Sequence, residues 1–159
     1  MLATELAALF ARDLTRLRQE IEAFPDTATL WATAPGVSNA AGTLALHLEG
    51  NLREYVGRQV GRIDYRRDRP AEFNTRDMTR EELARRAAAL GVEIPAVIAG
   101  LTDAELAAAF PEVVLGVPMS TRQFLIHLSG HLNYHLGQMD YLRRVSTGNG
   151  AIPLAGLSV

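Results

Sequence analysis

His127-Leu128-Ser129-Gly130-His131-Leu132-Asn133-Tyr134-His135-Leu136-Gly137-Gln138-Met139-Asp140-Tyr141-Leu142 contains three of the chain's four histidines, spaced by four. On a helix they stand in one row, with rings at successive turns roughly 6 Å apart. Phe124, Leu128, Leu132, Met139 and Leu142 keep the same period, so the row lies in or beside the buried stripe. A buried neutral imidazole needs partners for two ring nitrogens, which makes three of them in an apolar face costly without a purpose. A lone histidine there is more often a hydrogen-bonded core residue. A pair at i and i+4 facing a third from another helix is the geometry that holds a divalent metal in a bundle core.

Composition narrows the function classes. At 159 residues and 48% hydrophobic content, the chain is read as one domain spanning residues 1–159 with a single core. The net charge of -2 is spread over mixed signs, which argues against a nucleic-acid or anionic-membrane surface. No apolar run reaches membrane-spanning length, and the N-terminus, with Glu5, Arg12 and Asp13, reads as an amphipathic helix rather than a signal sequence. A cytoplasmic location is therefore expected. The cysteine count is zero, so a metal must be held by nitrogen and oxygen, and thiol chemistry must use a thiol from outside. Closed structural zinc sites usually use thiolates, whereas three histidines leave room for water or substrate.

Leu2, Leu6, Leu9, Phe10, Leu14, Leu17, Ile21 and Phe24 predict a first helix over residues 2–24, closed by Pro25, with Arg12, Arg16, Arg18, Glu20 and Glu22 mostly outward. A loop containing Trp31 leads to an N-cap at Ser38 or Asn39, with Trp31 plugging the bundle end. The second helix is expected over 40–62, with Leu44, Leu48, Leu52, Tyr55 and Val56 inward. His47 and Asn51 share that stripe, while Glu49, Arg53 and Glu54 read as a solvated face. The arginine-rich run Arg62 to Phe73 reads as a solvated connector. Its sharper reading has one or two guanidiniums, Arg66 and Arg67, gripping a substrate carboxylate at the mouth of a metal cavity.

Thr79 and Glu82 form a capping-box pattern for a third helix, which Gly91 and Pro95 are expected to break or kink. Thr102 and Glu105 repeat the pattern for a short helical turn, Val113 to Pro118 could be extended, and Ser120 or Thr121 caps the histidine helix. The last ten residues read as a tail. These elements predict an all-α fold, an antiparallel four-helix bundle with short extra helical turns in the loops, in which His47 meets the row on the last helix.

The segment His47-Leu48-Glu49-Gly50-Asn51-Leu52, together with His131, His135, Gly137 and Gln138, resembles the DinB-like, YfiT-like family of small metal-binding four-helix bundles. The resemblance implies metal ligands at His47, His131 and His135. Family members commonly carry Arg where this chain has Leu136, so any role of that arginine is missing here. His127 is eight residues from His135, roughly 12 Å along the helix, too far to share one ion with it, and reads as a core residue behind the ligands.

The resemblance also implies a homodimer and a metal-dependent enzyme working with a low-molecular-weight thiol such as bacillithiol or mycothiol. The leading expectation is a thiol S-transferase in which a divalent ion, such as zinc, nickel or iron, activates the thiol for attack on a small electrophile. Asn51 and Gln138 are candidates to orient ligands or substrate, and Tyr55 and Tyr134 to hydrogen-bond near the cavity. The alternatives are metal-dependent hydrolysis, for which the inward stripes show no carboxylate base, and a non-catalytic stress-response scaffold.

Overall fold

The computed structural model describes residues 2–114 and 116–153. Its helices are α1 (Leu2–Glu22), α2 (Thr27–Trp31), α3 (Ala41–Leu52), α4 (Arg69–Asn74), α5 (Arg80–Ala99), α6 (Asp103–Ala107) and α7 (Thr121–Thr147). A π-helical turn, Arg53–Arg58, prolongs α3. The long helices α1, α3, α5 and α7 make the expected bundle, and the short ones lie in the connections. No strand forms among the described residues. The expected extended run after Val113 reduces to an isolated bridge, Val114 to Val117, and a second bridge joins Ala109 to Ser120. Leu115 and the tail residues 154–159 lie outside the described residues. Among the described residues no helix is long and apolar enough to cross a membrane.

Each of α1 and α3 packs against both α5 and α7, so α1 faces α3 across the bundle diagonal. Side-chain pairs give the directions. Asp13 meets Asn133 and Glu20 meets Arg143, so α1 and α7 run parallel. Glu49 meets Arg86 and Arg53 meets Glu93, so α3 and α5 also run parallel. Arg80 reaches the Phe24 carbonyl while Gly91 lies by Leu14, so α1 and α5 are antiparallel. Tyr55 against Phe124 and His47 against His131 make α3 and α7 antiparallel as well. The bundle is thus up-down-down-up rather than antiparallel throughout as expected, because the crossover between the parallel neighbours α3 and α5 travels the length of the bundle.

Phe10, Leu14, Leu17 and Ile21 from α1, Leu48 and Leu52 from α3, Leu90 and Ile94 from α5, and Leu128 and Leu132 from α7 are fully buried. Each such side chain contributes about 1.5–3 kcal/mol of apolar burial. That packing overrides the local signals at Gly91 and Pro95. Pro95 cannot donate to the Gly91 carbonyl, yet α5 continues through it because Leu90, Ile94 and Ile98 all face the core. Thr79 caps α5 through the Glu82 amide, whereas Thr102 with Glu105 and Ser120 with Gln123 close full capping boxes on α6 and α7. Gly148 ends α7 in the left-handed region at φ 70°.

Several expectations are corrected. The loop after α1 contains α2, capped by Asp26, and Trp31 at its end donates to the Met78 carbonyl at 2.8 Å. Helix α3 starts after Ala40 with no side-chain cap, rather than at Ser38 or Asn39. Its register widens to π from Arg53 instead of running as α-helix to residue 62. Glu49 is buried, not solvated, because Arg53 and Arg86 both donate to it. Glu20, expected outward, is buried against Arg143.

Candidate metal centre

Helix α3 presents His47, and α7 presents His131 and His135 one turn apart. Because α3 and α7 run antiparallel, the three rings meet at one level of the bundle. His47 Nε2 lies 3.3 Å from His131 Nε2, and His135 Nε2 lies 3.1 Å from it. The three donor atoms all lie within 4.8 Å of one another. Nitrogens bound at about 2.0–2.1 Å to a tetrahedral ion stand roughly 3.3 Å apart, so the spacing suits a divalent metal.

The outer ring nitrogens are set by partners. His47 Nδ1 donates to Glu72 Oε2 at 3.1 Å, since a carboxylate can only accept. His135 Nδ1 donates to Gln138 Oε1 at 2.7 Å. Both bonds fix the tautomer that leaves Nε2 bare and aimed at the centre, as an orienting partner does for a metal-ligating histidine. His131 Nδ1 is buried and meets no partner among the described residues.

The electrostatics suit a neutral donor set. Burial, and then the His135 and His47 imidazoles, pull His131 down to about 4. Burial also lowers His135, opposed by its bond to Gln138. Burial alone would raise the Glu72 carboxyl, but hydrogen bonds from Arg67 and His47 hold it below the usual carboxylate range. Between pH 6.5 and about 4 the unfolded chain binds the His131 proton and the folded chain does not. Stability of the metal-free protein should therefore fall as pH drops through that window. Urea unfolding at stepped pH checks this, and the dependence should be shallower in His131→Ala.

Glu72, which the sequence did not single out, joins the candidate site through His47. In sequence the arginine-rich run has the composition of a solvated connector, and no inward helical stripe supplies a carboxylate. Instead the chain turns at Arg62, φ 55°, continues without regular secondary structure to Asp68 and enters α4, whose N-cap is Asp68. That path lays Glu72 against α3. Arg67 grips it bidentately, Nε to Oε1 at 2.6 Å and a second nitrogen to Oε2 at 2.8 Å. The only local signal was the Arg67–Glu72 spacing, which any surface pair also shows.

Gly50 makes room for this carboxylate, because a Cβ there would fall well inside contact with Glu72 Oε1 and Cδ. Removing Glu72 (Glu72→Ala) should weaken divalent-ion binding about 10–100-fold while the ligands stay in place. Gly50→Ala should raise local helix propensity by about 1 kcal/mol yet also lose metal affinity by displacing the carboxylate. Calorimetric titration of the two variants beside wild type reads both effects. Gly50→Ala binding as tightly as wild type would show that Glu72 is not needed where it stands.

The other expected site residues divide. Gln138 joins the cluster through His135. Asn51 is buried one turn beyond His47, and its Oδ1 meets no partner among the described residues. Tyr134 is 65% exposed, its ring edge-on to His135 at 5.2 Å. Tyr55 packs on Phe124 at 5.2 Å beneath the Arg67 guanidinium, on the Glu72 side of the site. Arg67 is committed to Glu72, and Arg66 is exposed. His127 is corrected: it is exposed and stacks on Phe124 at 5.9 Å, outside the cluster of His47, His131 and His135. Phe73, unremarked in the sequence, packs on His47 at 5.2 Å. Leu136 is buried.

Three imidazoles thus converge at mid-height of a four-helix bundle, an arrangement that could hold a divalent metal ion. The family model of the DinB superfamily matches residues 9–139, and the chain belongs to that superfamily. Among solved structures it is similar to a DinB-like protein from Bacillus cereus ATCC 10987, with TM-score 0.65 and 19% identity over 89% of this chain and 91% of that one. At that identity the likeness speaks for the fold. No curated protein matches the chain.

Proposed function

We propose that the chain holds one divalent metal ion at His47, His131 and His135 and is a thiol S-transferase. The observation that carries this reading is the convergence of three Nε2 atoms, two of them bared by Nδ1–H bonds to Glu72 and Gln138. An ion bound there supplies Lewis acidity that favours the thiolate form of an incoming thiol. The chain has no cysteine of its own, so the thiol comes from solution. Glu72 and Gln138 keep the imidazoles oriented. Asn51 offers an unpartnered buried acceptor one turn away for a donor on the substrate. Tyr134, exposed beside His135, borders the approach.

Hydrolysis is less well supported even though a carboxylate is now at hand. Glu72 accepts from both Arg67 and His47 and is held below the usual range, which makes it a poor proton acceptor. The test is a transfer assay: metal-loaded protein with bacillithiol, mycothiol or glutathione and the electrophile monochlorobimane. Metal-dependent conjugate formation, lost in His131→Ala, supports the transferase. Turnover of an ester without added thiol would favour hydrolysis, and inertness towards both would favour a scaffold. Sedimentation of the same sample tests the homodimer that the resemblance implies.

A further inference from the structure

On the far side of the Arg67–Glu72 pair from His47 lies a cavity of about 570 Å³, walled by four arginines, Arg58, Arg66, Arg67 and Arg69, with Tyr55, Tyr65 and the carboxylates Glu54 and Glu112. We propose that it binds a small organic dianion. Guanidiniums repel one another, and a chain that gathers four around one cavity needs counter-charge. Arg58 has it in Glu54, and Arg67 in Glu72. Arg66 and Arg69 meet no carboxylate among the described residues, Arg69 resting only on the Phe73 ring at 5.2 Å. The remaining acid of the lining, Glu112, accepts from the neutral Gln59 amide at 2.7 Å and adds its charge to that of Glu54 at Arg58, leaving Arg66 and Arg69 without a carboxylate contact among the described residues. Two uncommitted forks over one cavity are the complement of a molecule with two acidic groups, each able to take a paired N–H contact.

The backbone is shaped for the cavity. The π-helical turn and the left-handed Arg62 lead into the irregular segment 63–68, which supplies Tyr65, Arg66 and Arg67 to the lining. Tyr55 and Tyr65 add rings and hydroxyls for the part of the ligand between its charges. This site does not depend on the metal reading, since none of its lining residues is a histidine.

Calorimetric titration with succinate, inorganic phosphate and uncharged succinamide tests the proposal on wild type, Arg66→Gln, Arg66→Gln/Arg69→Gln and His131→Ala, with circular dichroism confirming that each is folded. Both arginines are exposed, so their replacement should leave the fold intact. Saturable binding of succinate or phosphate is expected, weakened about tenfold by each arginine removed and reduced by added salt. It should persist in His131→Ala. Preference for succinate marks a dicarboxylate ligand, and preference for phosphate a phosphorylated one. Absence of binding, equal binding of succinamide, undiminished binding in the double variant, or loss in His131→Ala would each overturn it.

Discussion

In His131→Ala, divalent metal should no longer stabilise the protein, whereas free ion at a thousandfold excess over its Kd should stabilise wild type by about 4 kcal/mol. For a domain of this size that is a rise in melting temperature of roughly 8–16 °C. His131 is the pivot because its Nε2 is 3.3 Å from that of His47 and 3.1 Å from that of His135, so its loss leaves two donors on different helices with nothing between them. Thermal melts with and without added ion read the effect. His127→Ala is the control, since that ring stacks on Phe124 outside the cluster and its loss should leave the metal response intact. An undiminished rise in His131→Ala would place the ion elsewhere.

The largest loss of stability is expected from Arg143→Ala. Arg143 is 0% exposed and Glu20 1%, joined at 2.7 Å. The same guanidinium reaches Asp140 at 2.8 Å and the Gly150 carbonyl at 3.0 Å, tying α7 to α1 and to the chain beyond the helix. Removing the arginine leaves the Glu20 carboxylate buried and unpaired, at a cost of about 3–5 kcal/mol. The melting temperature should fall by roughly 6–20 °C. The double variant Arg143→Leu/Glu20→Leu should recover most of that loss, since apolar side chains of similar volume often replace a buried pair at little cost. Denaturant unfolding of the single and double variants separates this from a simple packing defect, in which the double variant would be worse than the single.

How much was legible follows from where each signal is stored. The four long helices were readable because each buries a 3.6-residue stripe, and a stripe is a local property of sequence. His131 and His135 were readable for the same reason, and His47 because it falls in the stripe of α3. What failed depended on contacts between distant segments. Glu20 looked like any outward acid until Arg143, 123 residues away, was seen to reach it. Glu49 looked solvated because Arg86 comes from another helix.

Glu72 was hidden most deeply. Its position depends on a π-helical turn, on a left-handed arginine and on the missing side chain of Gly50, none of which has a strong local signature. His127 misled in the opposite sense. Its spacing matched the row, but the ring faces solvent, and a period says where a residue sits on a helix rather than what stands opposite it. The antiparallel expectation holds for α3 against α7 and for α1 against α5 but fails for α1 with α7 and α3 with α5, since helix directions are set by connections whose path leaves no periodic trace.

The central claim is that His47, His131 and His135 hold one metal ion. The most direct measurement is elemental analysis of metal per chain, on protein purified without a histidine tag, for wild type beside His47→Ala, His131→Ala, His135→Ala and His127→Ala. Near-stoichiometric metal in wild type and His127→Ala, lost in the other three, is the predicted result. A wild type that binds no divalent ion even after reconstitution would contradict it and would leave the three imidazoles as a buried hydrogen-bond network.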